Sequence, residues 1–212
     1  MRLFGITGHL DATMPLCLGP NDVSVLELVG AYTAFANNGI RTTPILVSRI
    51  EDQKGNVIYS AVPHRTEVIG QSAFYNMLDM LMNVVNNGSL RGMGITAEMG
   101  GKTGTTNFNA DMWFVGFIPD LVTGVWIGGE ERYIHFDNMA YGQGAKAALP
   151  IYGLFMKKLY ADKSLPYSQD EKFMFPADFR PCDAVRVHHG GGGNAAEDDT
   201  EEVEEVIIDA LE

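Results

Sequence analysis

The sequence predicts an α+β fold in which an antiparallel sheet with three main strands is packed by helices. Runs rich in aromatic and β-branched residues occupy positions 98–107, 111–119 and 121–128, and only short connections separate them. Apolar residues at helical spacing recur before and after these strands, so helices are expected to cover the sheet.

The negative charge of the chain is concentrated at its carboxyl end. The 212 residues carry a net charge of −12, but nine of the 27 acidic residues lie within 197–212, and no Lys or Arg follows Arg186. Residues 188–212 are glycine-rich and then acidic, so we expect a linker and a disordered tail after a folded part spanning 1–187. No basic stripe with interleaved aromatic residues occurs, which argues against a nucleic-acid partner.

Membrane, metal and redox signals are weak. No apolar run approaches the roughly 20 residues that span a membrane, and the first residues lack the apolar stretch of a signal peptide. Neither Cys17 nor Cys182 has a metal-ligand spacing. The two could pair across a long loop or remain two buried thiols, and we expect free thiols. We expect no membrane segment, no metal and no cofactor in this chain.

The first helix is predicted from its capping pattern. It follows an irregular leading segment, residues 1–20, in which glycines and prolines interrupt any period. Ser24 and Glu27 form a capping box, and Asn37-Asn38-Gly39 is expected to end the helix. Its apolar positions are Val25, Leu28, Val29, Tyr32 and Phe35. A β-hairpin is then predicted, with strands in 44–51 and 57–61.

Two further helices are predicted from apolar stripes. One spans 72–86, ends at Asn87-Gly88 and precedes a glycine-rich loop at 89–94. Its stripe is Phe74, Met77, Leu78, Leu81, Val84 and Val85, with the methionines as core filler. After the strands, an aromatic and glycine-bearing loop at 133–144 leads to a helix over 145–160, with Pro150 in its early turns. The expected inner face of this last helix is Ala148, Ile151, Tyr152, Phe155 and Leu159.

Residues with chemical capacity are concentrated in the first main strand, at Lys102-Thr103-Gly104-Thr105-Thr106. In a strand, Thr103 and Thr105 share one face while Lys102 and Gly104 share the other. Two threonine hydroxyls can donate to one carboxylate, and the lysine ammonium supplies a positive field. Gly104 leaves room for another backbone or for a ligand.

A phosphate-binding loop is the rival interpretation of Gly101-Lys102-Thr103. That motif requires glycine at position 96, where this chain has Thr96. It also requires a helix after the loop, whereas residues 111–119 have the composition of a strand. We therefore reject a phosphate loop.

A family resemblance rests on the Lys-Thr-Gly-Thr-Thr strand and the two strands after it. Together with 110–117 and 119–128, this strand resembles the transpeptidase domain of bifunctional (class A) penicillin-binding proteins. The resemblance runs from about Arg2 to about Val185 and implies the later half of a β-lactamase/transpeptidase-like fold. It implies catalytic roles for Lys102, which would position a relay serine, and for Thr105, whose backbone N–H would serve an oxyanion hole. It also implies a binding site for peptidoglycan stem peptide and β-lactams made by Thr103, Gly104, Thr105 and Thr106.

The nucleophile of that family is absent from this sequence. Its acyl transfer needs Ser-x-x-Lys and Ser-x-Asn motifs, yet none of the seven serines has lysine at +3 or asparagine at +2. We therefore expect either a fragment of a longer reading frame, which we favour, or a chain that works beside another polypeptide. In both cases the missing N-terminal half of the domain is the expected partner.

Two functions remain open from the sequence. One is part of a peptidoglycan D,D-transpeptidase that works through an acyl-serine at the outer face of the inner membrane, with a glycosyltransferase domain upstream. A hydrolytic relative, a serine β-lactamase or D,D-carboxypeptidase, is less favoured by Thr106-Asn107 and the strand around Trp113. The other function is a non-catalytic interaction module, which the absent nucleophile supports.

The isolated chain is predicted to form no stable acyl adduct with a β-lactam, because it contains no Ser-x-x-Lys motif. Incubation with excess penicillin followed by intact-mass measurement checks this, and the mass of the unmodified chain is expected. A stoichiometric mass increase located on a serine would contradict the prediction.

Overall fold

The structure is a computed structural model that describes residues 1–86 and 89–180, with the side chains of residues 86, 89 and 91 left out. The helices are α1 (Val25–Ala36), α2 (Gln71–Asn86), α3 (Ser89–Gly92) and α4 (Ala148–Ala161). The strands are β1 (Ile40–Thr42), β2 (Arg49–Glu51), β3 (Val57–Ser60), β4 (Arg65–Glu67), β5 (Gly100–Thr105), β6 (Asp111–Ile118) and β7 (Leu121–Gly128). Short 3-10 helices lie at Met14–Leu18 and Asn107–Asn109.

The main sheet contains β5, β6 and β7 in that order, and both of its strand pairs are antiparallel. The predicted α+β fold with three main strands is therefore confirmed. The predicted hairpin is confirmed as the β2–β3 pair, although residues 44–48 lie outside its first strand. A second small pair, β1 with β4, was not predicted, because three-residue strands are too short to display a readable alternation.

Strand β6 forms the centre of the core because it is covered on both faces. The ring of Phe114 lies 4.9 Å from the ring of Tyr152 in α4, measured between centroids. On the opposite face, the ring of Phe117 lies 6.2 Å from both Tyr32 and Phe35 in α1. Gly116 makes the first contact possible, since a Cβ there would approach the Tyr152 ring to 2.5 Å. Helix α4 therefore packs on one face of the sheet and α1 on the other.

Helix α2 packs beside β5 with one apolar stripe. Its buried members are Phe74, Leu78, Leu81 and Val85, as predicted. Met77 and Val84 were predicted on the same stripe, but their exposed fractions are 37% and 43%. The predicted stripe included too many residues, because positions three and four apart both fit the helical period. Only the side chains that pack towards Phe117 and Gly101 are buried. The helix end predicted at 87–88 lies outside the described residues.

Helix α4 presents a different inner face from the predicted one. Ala148, Tyr152 and Leu159 are buried as expected, but Ile151 and Phe155 are exposed by 48% and 42%. Leu149 and Met156 are buried in their place. Most of the helix is apolar around its whole circumference, so composition alone did not identify the side that meets Phe114 and Gly116. Pro150 lies in the first turn, where a helix needs no N–H donor from it.

Strand β7 forms one edge of the sheet, because it pairs with β6 alone among the described strands. A strand at the edge of a sheet, with no neighbour on one side, is expected to expose its apolar side chains. Among the large apolar side chains of β7, only Trp126 is exposed, with an exposed fraction of 42%. The others are half-buried: Leu121, Val122, Val125 and Ile127. Contacts with α1 on one face and α4 on the other explain the difference, since a Cβ at Gly124 would lie 2.6 Å from Val29.

Several other sequence expectations concern the ends of the chain. Cys17 is an exposed free thiol, not a buried one. Cys182 and the tail at 188–212 lie outside the described residues, and the division at 187 stays a prediction. Within 1–86 and 89–180, no helix has the length and apolarity needed to cross a bilayer. The same residues contain no group of three or more His, Cys, Asp or Glu arranged to hold a metal.

Glu27 connects the leading segment to α1. The capping box is confirmed: the Glu27 N–H donates to Ser24 Oγ, and the Glu27 carboxylate accepts from the Ser24 N–H at 3.1 Å. The same carboxylate accepts from the hydroxyl and N–H of Thr7, at 2.6 and 2.7 Å, and from the N–H of Gly8 at 3.2 Å. These hydrogen bonds, first of all those from Thr7, hold the pKa of Glu27 well below its usual range.

Glu27→Gln is predicted to reduce the acid sensitivity of the fold. Because the folded-state pKa of Glu27 is lowered, the ionised carboxylate adds to the free energy of unfolding. This contribution is fully present above the unfolded-state pKa of about 4.3 and is lost as the pH falls through the folded-state pKa. The free energy of unfolding of the variant should therefore lie below that of the wild type at pH 7, with a gap that narrows toward pH ~2.

Urea unfolding at a series of pH values measures this gap. Glu67→Gln is the matched control, since Glu67 is an exposed glutamate whose side chain makes no hydrogen bond with the described residues. A gap that stays constant from neutral to acid pH would show that the ionised Glu27 carboxylate contributes nothing specific.

Candidate active-site strand

Strand β5 presents the predicted polar residues in the alternation that its sequence implies. Lys102 pairs with Val115 and Gly104 with Trp113, while Thr103 pairs with Phe114 and Thr105 with Met112. Residues paired across a sheet share a face, so the two threonines lie on the α4 side and Lys102 lies on the α1 side. The predicted division of these side chains between two faces is confirmed. Since β5 pairs only with β6 among the described strands, its other edge is open to a ligand.

Lys102 and Thr103 form the more open part of this strand. The exposed Lys102 ammonium donates to the carbonyl oxygen of Thr103 at 3.2 Å. Within the described part of the chain it forms no ion pair with a carboxylate. Thr103 is half-buried, and its hydroxyl has no hydrogen-bond partner among the described residues. A cation and a hydroxyl are thus available to an anionic ligand that binds along the edge of the strand, one from each face.

Thr105 is held from one side by the loop that precedes α4. Its exposed side chain accepts a hydrogen bond at Oγ1 from the backbone N–H of Gly144, at 3.0 Å. The loop can approach this closely because Gly144 has no side chain: a Cβ there would lie 2.4 Å from the Trp113 carbonyl oxygen and 2.6 Å from the Gly104 carbonyl oxygen. The Gly144 backbone therefore lies against the backbone of Gly104. The space expected beside Gly104 itself is occupied by a side chain, since a Cβ at Gly104 would lie 3.1 Å from the Cβ of Trp113.

Thr106 is fully engaged within the hairpin that joins β5 to β6. Its hydroxyl donates to Asp111 Oδ2 and accepts from the Asp111 backbone N–H, both at 2.9 Å. The other carboxylate oxygen of Asp111 accepts from the indole N–H of Trp126 at 2.9 Å. Thr106 was expected to bind substrate. In the structure its hydroxyl proton is donated to Asp111, so this hydroxyl has no proton left for a carboxylate, and a role in substrate binding stays a prediction.

The turn after Thr106 has an unusual backbone. Phe108 and Asn109 both have positive φ values, 62° and 55°, a region that non-glycine residues rarely adopt. Asn109 is held there by Phe136, whose N–H donates to the Asn109 carbonyl and whose own carbonyl accepts from the Asn109 side chain, both at 3.3 Å. The loop at 133–144 therefore braces both the end of β5 and the turn that follows it.

Sequence reasoning missed three members of this site: Asp111, Trp126 and Gly144. Asp111 begins β6 opposite the end of β5, and a polar residue at that position of a predicted hairpin could have suggested a contact with Thr106. Gly144 lies 39 residues from its partner in a loop without periodicity, so no local pattern indicates the contact. A cavity of about 330 Å³ elsewhere is lined by Met93, Tyr160 and Gln169 and includes none of these residues. A second cavity, of about 230 Å³, is lined by Asp111 and Trp126, but Lys102, Thr103 and Thr105 line neither cavity.

Solved structures of a penicillin-binding protein share this fold. The penicillin-binding protein PonA1 from Mycobacterium tuberculosis matches with a TM-score of 0.71 and 19% identity, over 93% of this chain and 56% of that chain. PonA1 in complex with penicillin V matches with a TM-score of 0.68 and 22% identity, over 84% and 51%. At these identities the likeness concerns the fold. It defines a transpeptidase-like α+β architecture.

Sequence comparison gives the family. The profile of the family described as "Penicillin binding protein transpeptidase domain" matches residues 10–151. Penicillin-binding protein 1A of Aquifex aeolicus (strain VF5) is 38% identical over 150 residues, which are 70% of this chain and 20% of that protein. The chain belongs to the penicillin-binding protein transpeptidase-domain family, and its resemblance to the class A members is confirmed. It spans about one fifth of the length of the curated relatives it matches.

Thr106→Val is predicted to destabilise the fold, because it removes both hydroxyl hydrogen bonds to Asp111 and keeps the β-branched shape. We expect the free energy of unfolding to fall by about 1–2 kcal/mol. Urea unfolding followed by tryptophan fluorescence measures it. Thr123→Val in β7 is the matched control, since the Thr123 hydroxyl has no hydrogen-bond partner in the described part of the chain. Unchanged stability with weakened ligand binding would return Thr106 to a substrate-binding role.

Proposed function

We propose that this chain contributes the substrate-binding strand of a peptidoglycan D,D-transpeptidase that works through an acyl-serine. The observation that carries the proposal is the edge of β5 that no described strand covers, where Lys102 offers an ammonium from one face of the strand and Thr103 and Thr105 offer two hydroxyls from the other. A peptide that ends in a carboxylate matches this set, because charged acceptors form the stronger hydrogen bonds with such donors. Family membership supports the same substrate class.

Each residue of the strand then has a distinct part in the reaction. Thr103 and Thr105 donate to the terminal carboxylate of the donor stem peptide. Lys102 holds a relay serine by hydrogen bonding and by its positive charge. The Thr105 backbone N–H is one oxyanion-hole donor, and losing one such donor costs about 100- to 1,000-fold in rate. The Gly144 backbone lies against the backbone of Gly104 and so supports the geometry around Thr105.

β-Lactam acylation belongs to the same proposal. PonA1, whose structure matches this fold, has been solved in complex with penicillin V. A β-lactam with a carboxylate beside its reactive carbonyl would bind the same hydroxyls as the stem peptide. The chain would act at the extracytoplasmic face of the inner membrane, where peptidoglycan is cross-linked.

The nucleophile must come from residues other than these 212, since the sequence contains no Ser-x-x-Lys and no Ser-x-Asn. A preceding segment of a longer protein or a separate polypeptide could supply both motifs. The reading frame upstream of the codon for Met1 distinguishes the two sources directly. The absent nucleophile also favours a second candidate function, a non-catalytic interaction module in which the same strand binds a carboxylate-bearing peptide without turnover.

Thr103→Val is predicted to slow acylation without unfolding the protein. The experiment combines the chain with a polypeptide that carries the Ser-x-x-Lys and Ser-x-Asn half of a class A transpeptidase domain, and follows labelling by a fluorescent penicillin. Because one hydrogen bond to a carboxylate is lost, we expect the second-order rate constant to fall about 10- to 100-fold. The melting temperature should stay near the wild-type value, since the β-branched shape is kept.

Thr123→Val is again the matched control and should leave the labelling rate unchanged. A fall in melting temperature for Thr103→Val as large as its effect on labelling would mean that Thr103 is structural. Absence of labelling in the wild-type combination, with binding of a D,D-peptide retained by the chain, would support the interaction module instead.

A further inference from the structure

We propose that Gly144 is a positioning residue that sets Thr105 as a hydrogen-bond donor toward the carboxylate of the bound peptide. The proposal rests on the function proposed above and deepens it. It identifies a residue outside the Lys-Thr-Gly-Thr strand, in the loop before α4, on which the carboxylate site depends.

The first step is the direction of the Thr105 hydroxyl. A hydroxyl carries one proton and two lone pairs, and the Gly144 N–H donates to one of those lone pairs at 3.0 Å. The Thr105 proton must then point away from Gly144. No acceptor for it exists among the described residues, and the side chain is exposed, so the proton is directed toward solvent or a ligand.

The neighbouring threonines lack this arrangement. The Thr106 hydroxyl both accepts from and donates to Asp111, which leaves no proton for a ligand. The Thr103 hydroxyl has no partner among the described residues, so nothing fixes its rotation. Thr105 is therefore the one hydroxyl of these three whose acceptor side is occupied and whose donor side is free.

The second step is the rigidity of Gly144. Its carbonyl oxygen accepts from the N–H groups of Ala148 and Leu149 at 3.0 and 2.9 Å, which joins it to the first turn of α4. Its Cα lies against the backbone of β5 and β6, and the space contains no room for a side chain. Gly144 thus connects the first turn of α4 to the exposed hydroxyl of Thr105.

The test measures the preference of the 212-residue chain for a carboxylate over an amide. The probes are N-acetyl-D-alanyl-D-alanine and its C-terminal carboxamide, titrated into ¹⁵N-labelled protein and followed by NMR. Wild-type protein should bind the carboxylate form more tightly. Gly144→Ala pushes the loop off the strand and should weaken binding of the carboxylate form about tenfold, with binding of the carboxamide nearly unchanged.

A double-mutant cycle shows that Gly144 acts through Thr105. Thr105→Val removes the hydroxyl while leaving Gly144 in place, and Thr105→Ser retains a hydroxyl that can accept the same N–H. We expect Thr105→Val to reduce the carboxylate preference about tenfold, Thr105→Ser to keep it, and Gly144→Ala to add nothing on the Thr105→Val background. Hydrogen exchange of the Gly144 amide should also quicken in Thr105→Val. Gly70→Ala is the matched glycine control, because a Cβ there meets nothing within 4 Å.

The outcomes separate the two proposals. A wild-type chain with no preference for the carboxylate overturns the proposed function and this inference together. A wild-type preference that Gly144→Ala retains overturns the inference alone, as do additive effects in the double mutant. If Gly144→Ala fails to fold, the two Thr105 variants decide. The inference is overturned if Thr105→Val and Thr105→Ser show the same carboxylate preference, or if the Gly144 amide of Thr105→Val exchanges at the wild-type rate.

Discussion

The burial of β6 on both faces is the constraint on which the rest of this structure depends. Phe114 on one face packs against Tyr152, while Phe117 on the other packs against Tyr32 and Phe35. Each aromatic ring contributes a large apolar area, so the two helical layers are stabilised chiefly by this one strand. Because β5 pairs with β6 along its whole length, the functional strand inherits a fixed register and a fixed orientation.

That arrangement concentrates the polar chemistry at one open edge. The start of β5 is made of the buried glycines Gly100 and Gly101, which let Phe117 and Phe114 close over the strand. Its later half carries Lys102, Thr103 and Thr105, which are exposed or half-buried. The strand therefore changes within a few residues from part of the core to part of a binding surface. The hydroxyls of Thr103, Thr105 and the following Thr106 also differ. That of Thr103 has no partner among the described residues, that of Thr105 accepts from Gly144, and that of Thr106 both donates to and accepts from Asp111.

The sequence predicted those features that local physics determines. The capping box gave the start of α1, and the composition of 98–128 gave the three strands and the alternation of Lys102 with Thr103. It could not select the buried side of α4, because Ile151 and Phe155 are as apolar as Leu149 and Met156. The hydrogen bond between Gly144 and Thr105 could not be predicted either, because the two residues lie 39 positions apart and no local pattern marks the contact. The contact of Thr106 with Asp111 lies within one hairpin, and the position of Asp111 could have suggested it.

The left-handed pair at Phe108 and Asn109 has a consequence for the order of folding. Each non-glycine residue in that conformation costs roughly 1–2 kcal/mol, so the β5–β6 turn is locally unfavourable. Hydrogen bonds between Thr106 and Asp111 close this turn locally, and Phe136, which lies 27 residues beyond Asn109, adds two more that hold Asn109 in its left-handed conformation. The hairpin can therefore close early, while the backbone of its turn is fully stabilised only after a distant loop has docked. The turn next to the site is thus expected to take its final shape later than the β5–β6 pair, because contacts between distant segments form after local ones.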